Sequence, residues 1–319
     1  MNSLPILSLA PMMVAQSKGF FQKQGITVKM SSSDIYSQLA VQSQGNLDVN
    51  IPGLGGAFFN AINQGLNLTA VADRNQYDCA SDNMLLARTA AWNNGLKSVK
   101  DLKGKKVAIL AKGSSTEYWL DIALQKVGLK ESDLGGIVTL GYPDTVNALK
   151  TGAVDAGFLV EPLAEQLIGS GDAKRLTTMN EVAPKEEQGL ITMSKSFVSK
   201  RPKVAAQFLA AWLQAVRYYE DPANKDDVVK IIADGTKVPE SVVAKLYGTD
   251  QWPYMNPNGE VDTETATTQD GKWLVDNKVI SQLPPTSKWY DPSVVQAALK
   301  IVGRVPVNRT CSDVTPLGS

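Results

Sequence analysis

Lys112-Gly113-Ser114-Ser115-Thr116 sets a cation, a glycine and three hydroxyls in five consecutive positions. The run follows the apolar stretch Lys106–Leu110 and precedes a helix-forming stretch from Glu117. Backbone N–H groups, hydroxyls and the positive end of a helix dipole would converge there, a chemistry suited to a carboxylate, sulfonate or similar anion. Ordinary Ser/Thr capping accounts for the same residues. The spacing GxxxxGK[ST] is absent, so this is not a nucleotide-phosphate loop. Gly53-Leu54-Gly55-Gly56 holds the matching place earlier in the chain, where glycine serves either close approach to a ligand or a turn. Arg74 follows the apolar run Leu68–Ala72 and would take an acidic group bidentately, or form a surface salt bridge. Ser33 and Asp34, and Tyr142 and Asp144, sit on strand-to-helix loops, as caps or as ligand contacts. Phe158, Leu159 and Glu161 end another apolar run. Glu161 suits a ligand amine or a hinge contact. Leu9, Ala10, Pro11 and Met12 form the first loop of the series. Tyr36, Phe58, Tyr77 and Trp252 would line a cleft or fill a core.

Catalytic chemistry has few candidates. The chain has no histidine, the commonest general base and metal ligand. Two cysteines, far apart, exclude a Cys/His zinc site. With 32 basic and 32 acidic residues the formal net charge is zero, which argues against a phosphate-neutralising nucleic-acid binder. No 18-residue apolar stretch predicts a transmembrane helix. No metal or cofactor is called for. Hydrophobic content of 43% supports a buried core, and 319 residues fit about two domains.

The elements that must position these groups come in a duplicated pattern. Gly45-Asn46-Leu47-Asp48-Val49 is echoed by Gly152-Ala153-Val154-Asp155-Ala156, the two aspartates standing 107 residues apart. Each follows a helix-like run. Each precedes an apolar strand, a turn holding proline, a second helix, a glycine-rich stretch and another strand. That separation is too long for a solenoid repeat and suits two α/β lobes with a cleft between them. Strands are predicted at Ile26–Met30, Asp48–Pro52, Leu68–Ala72, Lys106–Leu110, Val138–Leu140 and Ala156–Val160. Met84–Ala87 and Gly189–Met193 are read as the two crossings between lobes. The β–α alternation predicts mainly parallel sheets. After Ser194 the pattern turns helical. Ala205, Phe208, Leu209, Trp212, Val216 and Tyr219 form one apolar face over 202–219, and further helices are predicted at 225–233, 239–247, 264–278 and 293–302.

Three segments carry a family resemblance. VAQSKGFFQKQGITVKM (Val14–Met30), LKSVKDLKGKKVAI (Leu96–Ile109) and ALKTGAVDAGFLVEP (Ala148–Pro162) resemble, in that order, segments of the solute-binding proteins of ABC importers. The group they resemble is the nitrate/sulfonate/taurine and thiamine-pyrimidine-precursor group. The resemblance covers roughly residues 12–195; the C-terminal third is similar only in being helical.

The resemblance implies an α/β, bilobed, type II periplasmic-binding-protein fold with a helical C-terminal third. Lobe one is expected at 1–86 and 194–319, lobe two at 87–193. It implies capture of a small organic anion by hinge closure and delivery to ABC permease and ATPase subunits, by a monomer outside the cytoplasm, without catalysis. A pyrimidine-precursor enzyme of the same fold would lack the histidine and cysteine-rich segment that such enzymes use. A ligand-sensing module would need a partner chain. Cys79 and Cys311 are expected to form a disulfide, the alternative being two buried thiols. No basic region leads an apolar one at the start, so residue 1 reads as the start of a trimmed mature form or an artificial start.

Overall fold

The computed structural model describes residues 6–31, 37–77, 80–307 and 317. Ser33, Asp34, Cys79 and Cys311 lie outside the described residues, and with them the expected disulfide. Two sheets organise the chain. The strands in chain order are β1 (Val49–Asn50), β2 (Leu68–Gln76), β3 (Asn83–Arg88), β4 (Lys106–Ile109), β5 (Gly136–Thr139), β6 (Ala156–Val160), β7 (Ala173–Thr178) and β8 (Glu187–Ser194). One sheet has the order β1-β8-β2 and the other β5-β4-β6-β3-β7. The repeat is visible as architecture. Helix Gln38–Ser43, β1, helix Gly56–Asn63 and β2 in one lobe match helix Tyr142–Thr151, β6, helix Leu163–Gly169 and β7 in the other. The two aspartates stand one residue before β1 and β6. Asp48 pairs with Arg201 and Asp155 with Arg88.

The pairing is less parallel than expected. β4 runs parallel to β5 and β6. β3 is antiparallel to both β6 and β7, and β8 is antiparallel to both β1 and β2. The cause lies in the crossings. Met84–Ala87 does not bridge the lobes; it lies inside β3, in the five-stranded sheet. Gly189–Met193 lies in the middle strand of the other. Both segments are fully buried apolar runs, which the interior of a covered sheet requires. The passages themselves are the short segments between β2 and β3 and between Val182 and β8. They run side by side, with Tyr77 N donating to Glu186 O (2.9 Å) and Lys185 N to Tyr77 O (2.8 Å). Ile26–Met30 forms no strand; Ile26 and Val28 pack on the core.

Helix Pro202–Glu220 buries all six residues of its predicted face. It packs against helices Ala10–Ser17 and Ser293–Val302, which makes the C-terminal third the wall of lobe one. The predicted helix 264–278 is broken by a π-helical turn at Ala266–Gly271, which carries Asp270 into the interior. Gly157 on β6 lets helix Tyr142–Thr151 approach, because a Cβ there would stand 2.8 Å from Thr145 Cγ2.

A second apolar cluster joins the lobes, running from Leu85 and Val107 through Tyr77, Trp119 and Phe158 to Phe58, Phe59 and Trp289. Trp289 meets Phe58 and Phe59 edge-on, at 6.2 and 5.7 Å between ring centroids. Trp289→Ala should destabilise the fold by about 3–5 kcal/mol. An unchanged urea midpoint would contradict this placement.

Candidate functional site

The two loops picked out first meet each other. Gly56 N donates to Gly113 O (2.9 Å), and a Cβ on Gly55 would lie 3.5 Å from the same oxygen. The lobes therefore touch at the helix starts Gly56–Asn63 and Ser115–Lys126. Glycine is needed at 56, where a Cβ would come within 2.9 Å of Gly113 O.

The anion-friendly loop is already engaged by its own side chains. Glu117 Oε2 accepts from Gly113 N (2.6 Å), and Glu117 forms an ion pair with Lys112. Ser114 Oγ donates to Ala111 O (2.7 Å). Thr116 Oγ1 accepts from Leu110 N (2.9 Å) and lies 2.8 Å from Ser114 Oγ. Ser115 is buried in the first helical turn. A carboxylate thus occupies the place proposed for an anion, and it belongs to the chain.

Arg74 differs. It sits on β2 and is only 3% exposed. Among the described residues it is the only buried basic side chain. Its Nε donates to Asn75 Oδ1 (2.8 Å). Among the described residues neither Nη has a hydrogen-bond partner, and no carboxylate oxygen pairs with it within 4.0 Å. The guanidinium lies flat on the backbone of β8: a Cβ on Gly189 would overlap it and stand 2.7 Å from Nη2. Asn75 and Gly189 therefore fix the group with its two Nη atoms presented.

Around it lies a network drawn from both lobes. Arg74 acts electrostatically on Tyr77, Asp82 and Glu186. Asp82 Oδ2 accepts from Ser8 N (3.1 Å), and Oδ1 accepts from Asn83 Nδ2 (3.0 Å) and Tyr77 OH (3.3 Å). Tyr142 OH donates to Asn83 Oδ1 at 3.4 Å. Ser8 Oγ is buried without a partner. Trp119 Nε1 donates to Glu186 Oε2 (2.6 Å), while its ring lies 6.1 Å from that of Phe158. Pro11 is buried one turn beyond Ser8. Gly53 pairs with Gly189, and Leu54 N donates to Gln188 O (2.8 Å). Glu161 faces away from Arg74. Its Oε2 accepts from Glu165 N (2.9 Å), and its backbone N donates to Asp82 O (2.7 Å).

Arg74, Tyr142, Phe158 and the two glycine loops thus converge on the seam between the lobes, whereas Lys112 turns to Glu117 and Glu131. Ser8, Asp82, Asn83, Trp119 and Glu186 were missed. Asp82 and Asn83 carried a signal, being two polar residues between Ala80-Ser81 and an apolar strand. Glu186 carried none, because Lys185-Glu186-Glu187 reads as a solvated charge run. A surface groove of about 590 Å³ lined by Thr69, Lys195, Tyr290 and Asp291 contains none of these residues.

Burial dominates the carboxyls here. It raises Asp82, Asp73 and Asp270, drives Glu186 and Glu187 well above the usual carboxylate range, and pushes Glu161 up to about 8. Asp73 faces Glu187, and Glu186 faces Asp270.

Two lobes of similar plan, joined by paired passages and meeting over a polar seam, define a type II periplasmic-binding-protein fold. The chain belongs to the NMT1-like family, whose model matches residues 2–233. It is 23% identical over 251 residues to the nitrate/nitrite binding protein NrtA of Nostoc, a match covering 72% of this chain and 56% of that protein. It is 28% identical over 248 residues to a putative aliphatic sulfonates-binding protein of Bacillus subtilis, covering 75% and 70%. The periplasmic nitrate-binding protein NrtA of Synechocystis superposes with a TM-score of 0.80 at 15% identity, over 95% of this chain and 88% of that one.

The carboxyls fix the sign of the pH dependence. Groups whose folded pKa is raised keep protons that the unfolded chain releases above about pH 4. Their contribution is complete below that pH and is lost as pH rises towards 8. The melting temperature should fall steadily from pH 5 to pH 8. A flat or rising profile would show that these carboxyls are not buried as described.

Proposed function

We propose that the chain is an exported solute-binding protein that closes its two lobes on a small anion and delivers it to an ABC permease. The lobe limits expected at 86/87 and 193/194 move in this reading, because β3 (Asn83–Arg88) lies in the five-stranded sheet and β8 (Glu187–Ser194) in the three-stranded one; one lobe holds β1, β2 and β8, the other β3 to β7, and the hinge is the paired passages beside Tyr77 and Glu186. The observation that carries the reading is the Arg74 guanidinium. Among the described residues no carboxylate pairs directly with this buried cation, which feels Asp73, Asp82 and Glu186 only at longer range; an anionic ligand would supply a direct charge and two acceptors. Ser8, Tyr77, Asn83 and Tyr142 stand close enough in the same network to contact the rest of a small solute. Gly55 and Gly56 would let the lobes close tightly over it.

Family membership supports the transport role, since the relatives named above are binding proteins. Among the described residues no helix is long and apolar enough to cross a membrane, which accords with a protein acting beside its permease. Turnover is not part of the proposal. The chain has no histidine, the commonest general base. Small organic and inorganic anions (sulfonates, nitrate, carboxylates) form the ligand class.

Isothermal titration with nitrate, methanesulfonate and benzoate tests this. At least one should bind, and Arg74→Met should weaken that binding by about ten- to a hundredfold, the range expected for a charge-assisted hydrogen bond of roughly 1.5–3 kcal/mol. Undiminished binding in the variant would remove Arg74 from the site.

A further inference from the structure

The region around Arg74 holds one cation against several buried carboxyls. Asp73, Asp82, Glu161, Glu186, Glu187 and Asp270 are each 1% exposed or less. Four of them form two facing pairs, Asp73 with Glu187 and Glu186 with Asp270. Each pair leaves one oxygen on each partner without a hydrogen bond: Asp73 Oδ1 and Glu187 Oε1, Glu186 Oε1 and Asp270 Oδ2. A single proton shared within a pair would give both orphaned oxygens a partner. Two bare carboxylates facing each other in so dry a place would not be stable.

The pairs differ in position. Asp73 and Glu187 both belong to the three-stranded sheet, on β2 and β8. Glu186 lies on the return passage, at the hinge. It is touched from the C-terminal segment by Asp270 and from the five-stranded lobe by Trp119. Arg74 on β2 and the phenols Tyr77 and Tyr118 also face it, and Tyr118 faces Asp270 as well. The neighbouring Lys185 is exposed and points no charge inward.

We propose that capture of the anion at Arg74 is accompanied by uptake of a proton by the Glu186–Asp270 pair. Two effects act in the same direction. An anion seated on Arg74 takes for itself the only buried cation among the described residues and adds a negative charge beside Glu186. Closure of the lobes removes water from the same carboxyl, and this burial outweighs the Trp119 Nε1–H hydrogen bond, which by itself favours the ionised form. Both disfavour ionised Glu186, so the bound, closed state holds a proton that the open state releases in part. Solute affinity then falls as pH rises.

The inference rests on the anion reading, and one experiment separates the two. Titrations with nitrate and methanesulfonate, which carry no titrating group of their own near neutrality, are run in two cationic buffers of different ionisation enthalpy, Tris and triethanolamine. The expected result is a binding enthalpy that differs between buffers in the sense of proton uptake, with Kd rising up to about tenfold per pH unit above neutrality. Whatever its affinity at one pH, Glu186→Gln should lose both the buffer dependence and the pH dependence, and Asp270→Asn, on the other partner of the pair, should do the same, a result that loss of packing would not produce. Binding with equal enthalpies in the two buffers and a flat Kd would overturn the proton coupling and leave the anion site standing. Absence of binding by both probes would overturn the anion reading, and the coupling with it.

Discussion

A guanidinium held out of water with no directly paired carboxylate among the described residues is the constraint around which this molecule is arranged. Arg74 is anchored at one nitrogen by Asn75 and laid against a glycine on the neighbouring strand, with both terminal nitrogens unengaged. Such an arrangement is unfavourable in isolation. It persists because β2 and β8 are pinned on both sides, by the apolar face of Pro202–Glu220 and by the aromatic cluster around Trp289. The stability of those cores is what allows a buried charge to remain without a partner until a ligand provides one.

The same region explains how two lobes can act together. The passages between them are hydrogen-bonded to each other at Tyr77, and every nearby polar side chain belongs to a network that draws on both lobes. Ser8 comes from the first helical turn of one lobe, Tyr142 from the start of helix Tyr142–Thr151 in the other, and Asp82 and Asn83 from the junction. A ligand that touches Arg74 therefore touches groups whose relative positions depend on closure, the condition under which binding shifts a conformational equilibrium. The dry carboxyl pairs add a second dependence, on protons, at the same hinge.

Much of this was legible in the residues. Period and punctuation placed the helices at Pro202–Glu220, Ser115–Lys126 and Tyr142–Thr151, because each has a long apolar face and a glycine or proline at its limits. The duplicated Gly-x-apolar-Asp motif located equivalent strands, because an aspartate paired with an arginine stands immediately before each one. Strand direction was not legible, since a buried apolar run reads the same in a parallel and in an antiparallel sheet. Two crossings were for that reason assigned to strands inside the sheets. At the site, local chemistry pointed to Lys112–Thr116. A sequence cannot show that Glu117 folds back to fill that position, nor that Arg74, for which a surface salt bridge is an equal reading, is buried against a glycine 115 positions away. Glu186 was hidden for the same reason: burial of a charge is decided by tertiary packing, not by its neighbours in the chain.

The most direct test is a crystal structure of the protein with whichever small anion binds most tightly. The account predicts density for the anion at the seam between the lobes, with both Nη atoms of Arg74 about 2.7–2.9 Å from its oxygens. Density elsewhere, with the Arg74 nitrogens paired to a carboxylate of the chain, would contradict it.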